Sequence, residues 1–296
     1  MNQKMKHFAI IGSITCLIGA LIMIIAVAIS GFQLSKFDLT PDYQQKEEII
    51  SGIAVNTILT KAVDQQVMIA PSPDNDIHIF YYENKNETYQ IKQQDKTVSI
   101  TYHDKLSVWD HIINTFRQGI FQLNLTAPKL TILIPKENQL AIQVKNVNGS
   151  IQAKDITSNT LKFTNTNGSI KVINSNISSL QVTGTNGSTK IFDSSLTDLV
   201  VTTTNGAIQI KNTITNQTTC NNTNGSTQFL ASQGKVLKFQ STNGSIKAEI
   251  DGKKEEYNIL ISKINGSSNI ESQLSTNDQI LDVKSTNGSI RITFLR

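Results

Sequence analysis

From residue 141 onward, apolar and polar positions alternate in short bursts on either side of a recurring Asn-Gly pair, at Asn148, Asn167, Asn186, Asn205, Asn224, Asn243, Asn265 and Asn287. The first five intervals are each 19 residues and the last two are each 22. Four residues before each Asn stand Val144, Phe163, Val182, Val201, Cys220, Phe239, Ile261 and Val283, all apolar. Six before it the column is apolar except for Thr218, and five after it every residue from Ala153 to Ile292 is apolar. The column between two inward positions reads Gln152, Lys171, Lys190, Gln209, Gln228, Lys247, Asn269 and Arg291, with no apolar member. Period-two alternation on both sides of a turn predicts two short strands per repeat. One repeat buries too few side chains to fold alone, so the repeats must stack. The expected fold is all-β: a β-solenoid (β-helix) of about eight coils of 19 to 22 residues over 141–296.

Asn and Gly tolerate the left-handed backbone region, so Asn-Gly suits a sharp corner. Equivalent corners then lie about 4.8 Å apart, the distance at which stacked Asn amides hydrogen-bond as a ladder. Eight coils at that spacing make a rod roughly 35 Å long. Isolated hairpin turns do not demand a fixed interval, which sets them aside as the general explanation. Cys220, in an inward column, is expected to be a small core residue.

Residues 49–140 carry alternating stretches such as "QVMIA", "DIHIFYY" and "TVSITY", and are expected to be the β-rich N-terminal part of the solenoid. Within them Leu106, Trp109, Ile112, Ile113, Phe116 and Ile120 fall at helical spacing, predicting a short amphipathic helix over about 105–118. It either caps the solenoid, whose open edge would otherwise recruit foreign strands, or lies in a membrane interface.

Residues 8–30 contain no ionisable side chain except the thiol of Cys16, and a run of about 20 apolar residues can cross a bilayer as a helix. Lys4 and Lys6 precede it, so residues 1–7 are expected in the cytoplasm and the rest outside, with 31–48 as a juxtamembrane linker. A cleavable signal peptide ending at Ala26-Val27-Ala28 is the competing reading; the apolar run exceeds the usual length of a signal-peptide core. The only two cysteines are Cys16 and Cys220, which leaves no disulfide framework outside the cell and points to an exported bacterial protein. A net charge of +4 is too mild to argue for nucleic acid.

The ordered series "QQVMIAPSPDNDIHIFYYE", "YQIKQQDKTVSI", "LTILIPK" and the "TNGSI" coils resembles the bacterial putative adhesin family, over roughly residues 49–296. The resemblance implies a β-solenoid of the cell envelope without catalytic residues, acting in adhesion or in the response to envelope stress.

Some β-helices act on polysaccharides, which requires converging carboxylates or basic groups. Asp155 and Asp193 share a column but stand two coils apart, roughly 10 Å. His7, His78, His103 and His111 all precede the regular coils, without metal-ligand spacing. No catalytic, metal or cofactor residue is therefore expected. Lys171, Lys190, Lys247 and Arg291 form a basic column that either meets an anionic envelope ligand or keeps the exposed strands soluble. Thr164, Thr183 and Thr202 with Thr166, Thr185 and Thr204 make a short Thr-x-Thr array of the ice-binding kind, which decays at Asn221 and Gln240. The segment "SIRITFLR" ends without a polar cap, so it is expected to present an edge open to a partner or a second copy. Together these features predict a membrane-anchored extracytoplasmic solenoid acting as a non-enzymatic binding, adhesion or structural module. A role in envelope-stress signalling through a membrane partner is the alternative, and a polysaccharide-acting enzyme the least favoured.

Overall fold

The computed structural model describes residues 43–106, 129–136 and 139–296, together with residues 12, 14–19, 21, 22, 24, 25, 28 and 29. All strands belong to one compact unit, residues 43–105 and 127–296.

The regular part alternates a long and a short strand. The long strands are β8 (Ala141–Asn148), β10 (Thr157–Asn167), β12 (Asn176–Asn186), β14 (Ser195–Asn205) and β16 (Ile214–Asn224). The short ones are β9 (Ile151–Lys154), β11 (Ile170–Ile173), β13 (Thr189–Phe192) and β15 (Ile208–Lys211). Next, β17 (Thr227–Asn243) runs from a short position into a long one, and β18 (Ile246–Ile250) follows as a short strand. Long strands pair in parallel with long, and short with short, so two facing parallel sheets enclose the core. Register is exact in residue type at the corner, with Asn167 beside Asn186 and Asn186 beside Asn205. The inward columns fill one continuous core in which Phe163, Phe229 and Phe239 are the largest buried side chains. Thr218, the polar exception, is satisfied there by its hydroxyl donating to Thr215 Oγ1 at 2.8 Å.

The two ends depart from sequence order. At the first, β2 (Thr57–Lys61) and β3 (Gln66–Pro71) form the winding that lies against β8 and β9. The later strands β6 (Thr97–Asp104) and β7 (Lys129–Ile134) stack beyond them. Antiparallel strands β1 (Gln44–Ser51), β4 (Asp76–Glu83) and β5 (Glu87–Gln94) finish this end, β1 on β4, β4 on β7 and β5 on β6. At the second end, β20 (Gln279–Asn287) pairs with β17 on one side and with β19 (Tyr257–Asn265) on the other. The last strand, β21 (Ile290–Phe294), pairs with β18. The last winding in sequence is therefore intercalated, and the outermost winding in space is the one before it.

Several expectations change. The linker expected over 31–48 gives way at Gln44, because β1 gains a full antiparallel register with β4 from Gln44 beside Glu83 to Ser51 beside Asp76. The open edge expected at "SIRITFLR" is not an edge. The Asn269 amide accepts from the Ile292 amide and donates to its carbonyl, each at 2.8 Å, and so imitates a neighbouring strand. Arg296 closes on Asp251 with contacts of 2.6 and 2.9 Å. Among the described residues no helix is long and apolar enough to cross a membrane. The described residues between 12 and 29 are helical, with Leu17, Ile22 and Ile24 more than half exposed. Most of the amphipathic helix expected over 105–118, from residue 107 on, lies outside the described residues.

Candidate binding face

The Asn corner carries the ladder expected of it, in an order set by the fold. Asn167, Asn186, Asn205, Asn224 and Asn243 each donate from Nδ2 to Oδ1 of the Asn below at 2.8 to 2.9 Å. Asn287 then donates to Asn243, and Asn265 to Asn287. At the other end Asn148 donates to Asp64 Oδ1 at 2.6 Å. Every amide points the same way, so a carboxylate terminates the file where its partial positive charges face outward. The left-handed expectation needs correction: none of these Asn has positive φ, whereas Gly149 (φ 92°), Gly168 (133°) and Gly187 (147°) do. A Cβ at Gly168 would lie 2.1 Å from the Gly149 carbonyl oxygen. Glycine is thus required for close stacking, and Asn for the ladder.

The opposite corner, which sequence reasoning missed, is where non-glycine residues are left-handed: Asp155, Asn174, Asp193, Asn212 and Ala231, with φ of 46° to 58°. Asn174 donates to Asp155 at 2.7 Å and Asn212 to Asp193 at 3.0 Å. These two carboxylates are thus structural acceptors, and the Asn174 bond with the nearby Lys154 holds the Asp155 carboxyl below its usual range. Beside them the buried hydroxyls of Ser175, Ser194, Thr213 and Ser232 each donate to the carbonyl two residues earlier, at 2.7 to 2.9 Å. The 19-residue recurrence of Asn174-Ser175, Asp193-Ser194 and Asn212-Thr213 was the available signal.

The basic column lies on the outer face of the short-strand sheet. Lys171 and Lys190 are register partners on adjacent windings, both half-buried. Gln209 and Gln228 follow, joined by a 3.4 Å side-chain bond, and then Lys247 beside Arg291. Asn269, which sequence order placed between those two, lies instead against β21. Lys247 is neutralised by Glu249 at 2.6 Å, whereas Lys171 and Lys190 have no ion pair among the described residues. The next outward column sets Ile173 beside Phe192, with Lys154 and Lys211 at their outer sides. Like charges directly opposite one another across a strand pair are destabilising. This face therefore combines an unneutralised ammonium pair with half-buried apolar side chains.

On the long-strand sheet the Thr-x-Thr array is in register over three windings and meets Asn221 and Gln240, as its sequence implied. His78 lies on β4, at the antiparallel end of the short-strand sheet. Its Nδ1 lies 2.8 Å from Glu47 Oε1, and its Nε2 lies 3.0 and 3.1 Å from the Asp74 carboxylate oxygens. Bonds to Glu47 and Asp74 raise the His78 pKa, and a backbone bond from Asp76 with the His78 contact lowers that of Asp74. Cys220 is fully buried, and burial pushes its thiol up to about 12, which makes it inert at neutral pH. No group of three or more His, Cys, Asp or Glu among the described residues is placed to hold a metal.

Fold and face define an all-β repeat protein of stacked two-strand windings. The Toastrack DUF4097 family matches residues 55–294, and the chain belongs to that family. Three solved structures are similar to it. A putative lipid binding protein from Parabacteroides distasonis is 15% identical with a TM-score of 0.54, covering 85% of this chain and 98% of its own. A putative adhesin from Bacteroides fragilis is 14% identical with a TM-score of 0.46 and the same coverage. A putative cell adhesion protein from Clostridium sporogenes is 12% identical with a TM-score of 0.32, covering 86% of this chain and 100% of its own. The first of these shows the shared fold. No curated protein matches the sequence.

Proposed function

We propose that this protein is a non-enzymatic binding module of the bacterial envelope, anchored in the membrane through residues 8–30 and presenting its short-strand sheet to an anionic envelope polymer. The observation that carries the reading is the stacked pair Lys171 and Lys190, half-buried and without an ion pair among the described residues. A column serving solubility alone would separate or neutralise such charges, as Glu249 does for Lys247. A phosphate-rich polymer supplies the missing counter-charge, and Ile173 and Phe192 supply apolar contact for its backbone or substituents. The anchor reading rests on the apolar run and its preceding lysines, and on the helical conformation of the described residues within it.

The test uses the full-length protein in uncharged nanodiscs, titrated with purified teichoic acid. The wild type is expected to bind in a salt-dependent way, and the double variant Lys171→Glu, Lys190→Glu to bind at least about fivefold more weakly. Equal binding by both, with circular dichroism unchanged, would reject this face as the binding surface.

A further inference from the structure

We propose that Asn265 is a self-modification site, the one corner Asn that the folded protein leaves free to deamidate through its following glycine. In an Asn-Gly pair the backbone nitrogen of the glycine, deprotonated by solvent base, can attack the Asn Cγ. A bond forms between that nitrogen and Cγ, the bond from Cγ to Nδ2 breaks, and ammonia leaves with a proton from solvent. Water then opens the five-membered succinimide at either carbonyl, giving Asp or iso-Asp. The balance is one water in and one ammonia out, with no redox partner.

The fold withholds that nucleophile at six of the eight corners. The amides of Gly168, Gly187, Gly206, Gly225, Gly244 and Gly288 each donate to the carbonyl of the corner Asn on the adjacent winding, at 2.8 to 3.0 Å. Deprotonating or rotating any of them breaks an inter-winding bond. The same Asn amides are clamped on both sides by the ladder.

Gly266 belongs to the outermost winding, and its amide has no acceptor among the described residues. Asn265 is exposed and is held on one side alone, by its Nδ2 donating to Asn287 Oδ1 at 2.9 Å. Gly149 also lacks an amide acceptor among the described residues, but Asn148 is held from both sides, and one neighbour is the Asp64 carboxylate at 2.6 Å. That negative charge opposes the oxyanion formed when Cγ is attacked. The expected order is therefore Asn265, then Asn148, then the six clamped residues. The product places a carboxylate at the far end of a ladder that already ends on one, at Asp64.

The experiment incubates the full-length protein in detergent at mildly alkaline pH, with and without urea, and follows each Asn-Gly peptide by mass spectrometry for the mass gain of deamidation and for iso-Asp. Because the clamped sites must open locally before reacting, Asn265 is expected to convert at least about tenfold faster than Asn186, Asn205 or Asn224 in the folded protein. Urea should bring all eight to similar rates. An Asn265 rate no higher than that of the interior three without urea overturns the proposal, as does an unchanged spread of rates in urea.

Discussion

The regular middle of the molecule and its two ends are built from the same two-strand winding, yet they solve different problems. In the middle, β8 to β18, sequence order is spatial order and every corner stacks on its like. At the ends the backbone path crosses over: β6 and β7 stack outside β2 and β3, and β20 slips between β17 and β19. Periodicity makes windings interchangeable, so a purely periodic sequence has no way to stop. The ends stop it with antiparallel strands on one side and, on the other, with a winding whose inward column carries a charge. Two residues before the corner, Asn146, Asn165, Thr203, Asn222, Ser241 and Ser285 are buried, whereas β19 has the exposed Lys263. A Lys at that register position cannot be covered by a further winding without losing its hydration, a known device for protecting sheet edges.

The largest loss of stability is expected in the core. Phe239 is buried and packs against Phe229 at 5.4 Å between ring centroids, so Phe239→Ala is expected to cost about 3–5 kcal/mol in chemical denaturation. Close stacking comes next. A Cβ at Gly187 would meet the Gly168 carbonyl oxygen at 2.1 Å on a backbone with φ of 147°, so Gly187→Ala should lose about 3 kcal/mol by the same measurement. The ladder offers the direct contrast between middle and end. Asn205 makes two side-chain bonds and Asn265 one, so Asn205→Ala should cost about 1 kcal/mol and Asn265→Ala about half as much. The smallest effect is local and pH-dependent. His78 joins β4 to Glu47 on β1 and to Asp74, and its pKa is raised, so its contribution is complete below the unfolded value near 6.5 and fades as pH rises through the folded value. Hydrogen exchange of residues 44–51 should therefore quicken as pH rises, beyond the intrinsic rate change, and His78→Gln should remove that excess.

The middle was legible because each inward column repeats at 19 residues and the outward column from Gln152 to Arg291 between two of them has no apolar member, two facts that leave a single stacking register. The second corner shared that period but was less plain in its chemistry: Asp155, Asn174, Asp193 and Asn212 alternate carboxylate and amide, Ala231 is neither, and what all five share is a left-handed backbone. The basic column was legible as a column, though its neighbours were not. Lys247 meets Arg291 because β21 is intercalated, and no local pattern specifies which of two similar strands pairs with a third. The widening of the last two intervals to 22 residues, with Lys263 in a column of small polar residues, was the trace of that rearrangement. The His78 site was illegible because Glu47 lies 31 residues away in a stretch whose charges resembled a linker.

Matching windings lie directly over one another, with the last winding in sequence inside the stack. Disulfide trapping tests it. Gln240 and Lys284 are register partners on β17 and β20, while Ser262 is the partner of Lys284 on β19 and stands two windings from Gln240. Adjacent parallel strands lie about 4.8 Å apart and two windings span roughly 10 Å, inside and beyond the reach of a disulfide. Oxidation is predicted to join the pair Gln240→Cys, Lys284→Cys in the folded protein and to leave Gln240→Cys, Ser262→Cys reduced. Rapid bridging of the second pair with none of the first would mean that the windings follow sequence order to the end, and would contradict this account.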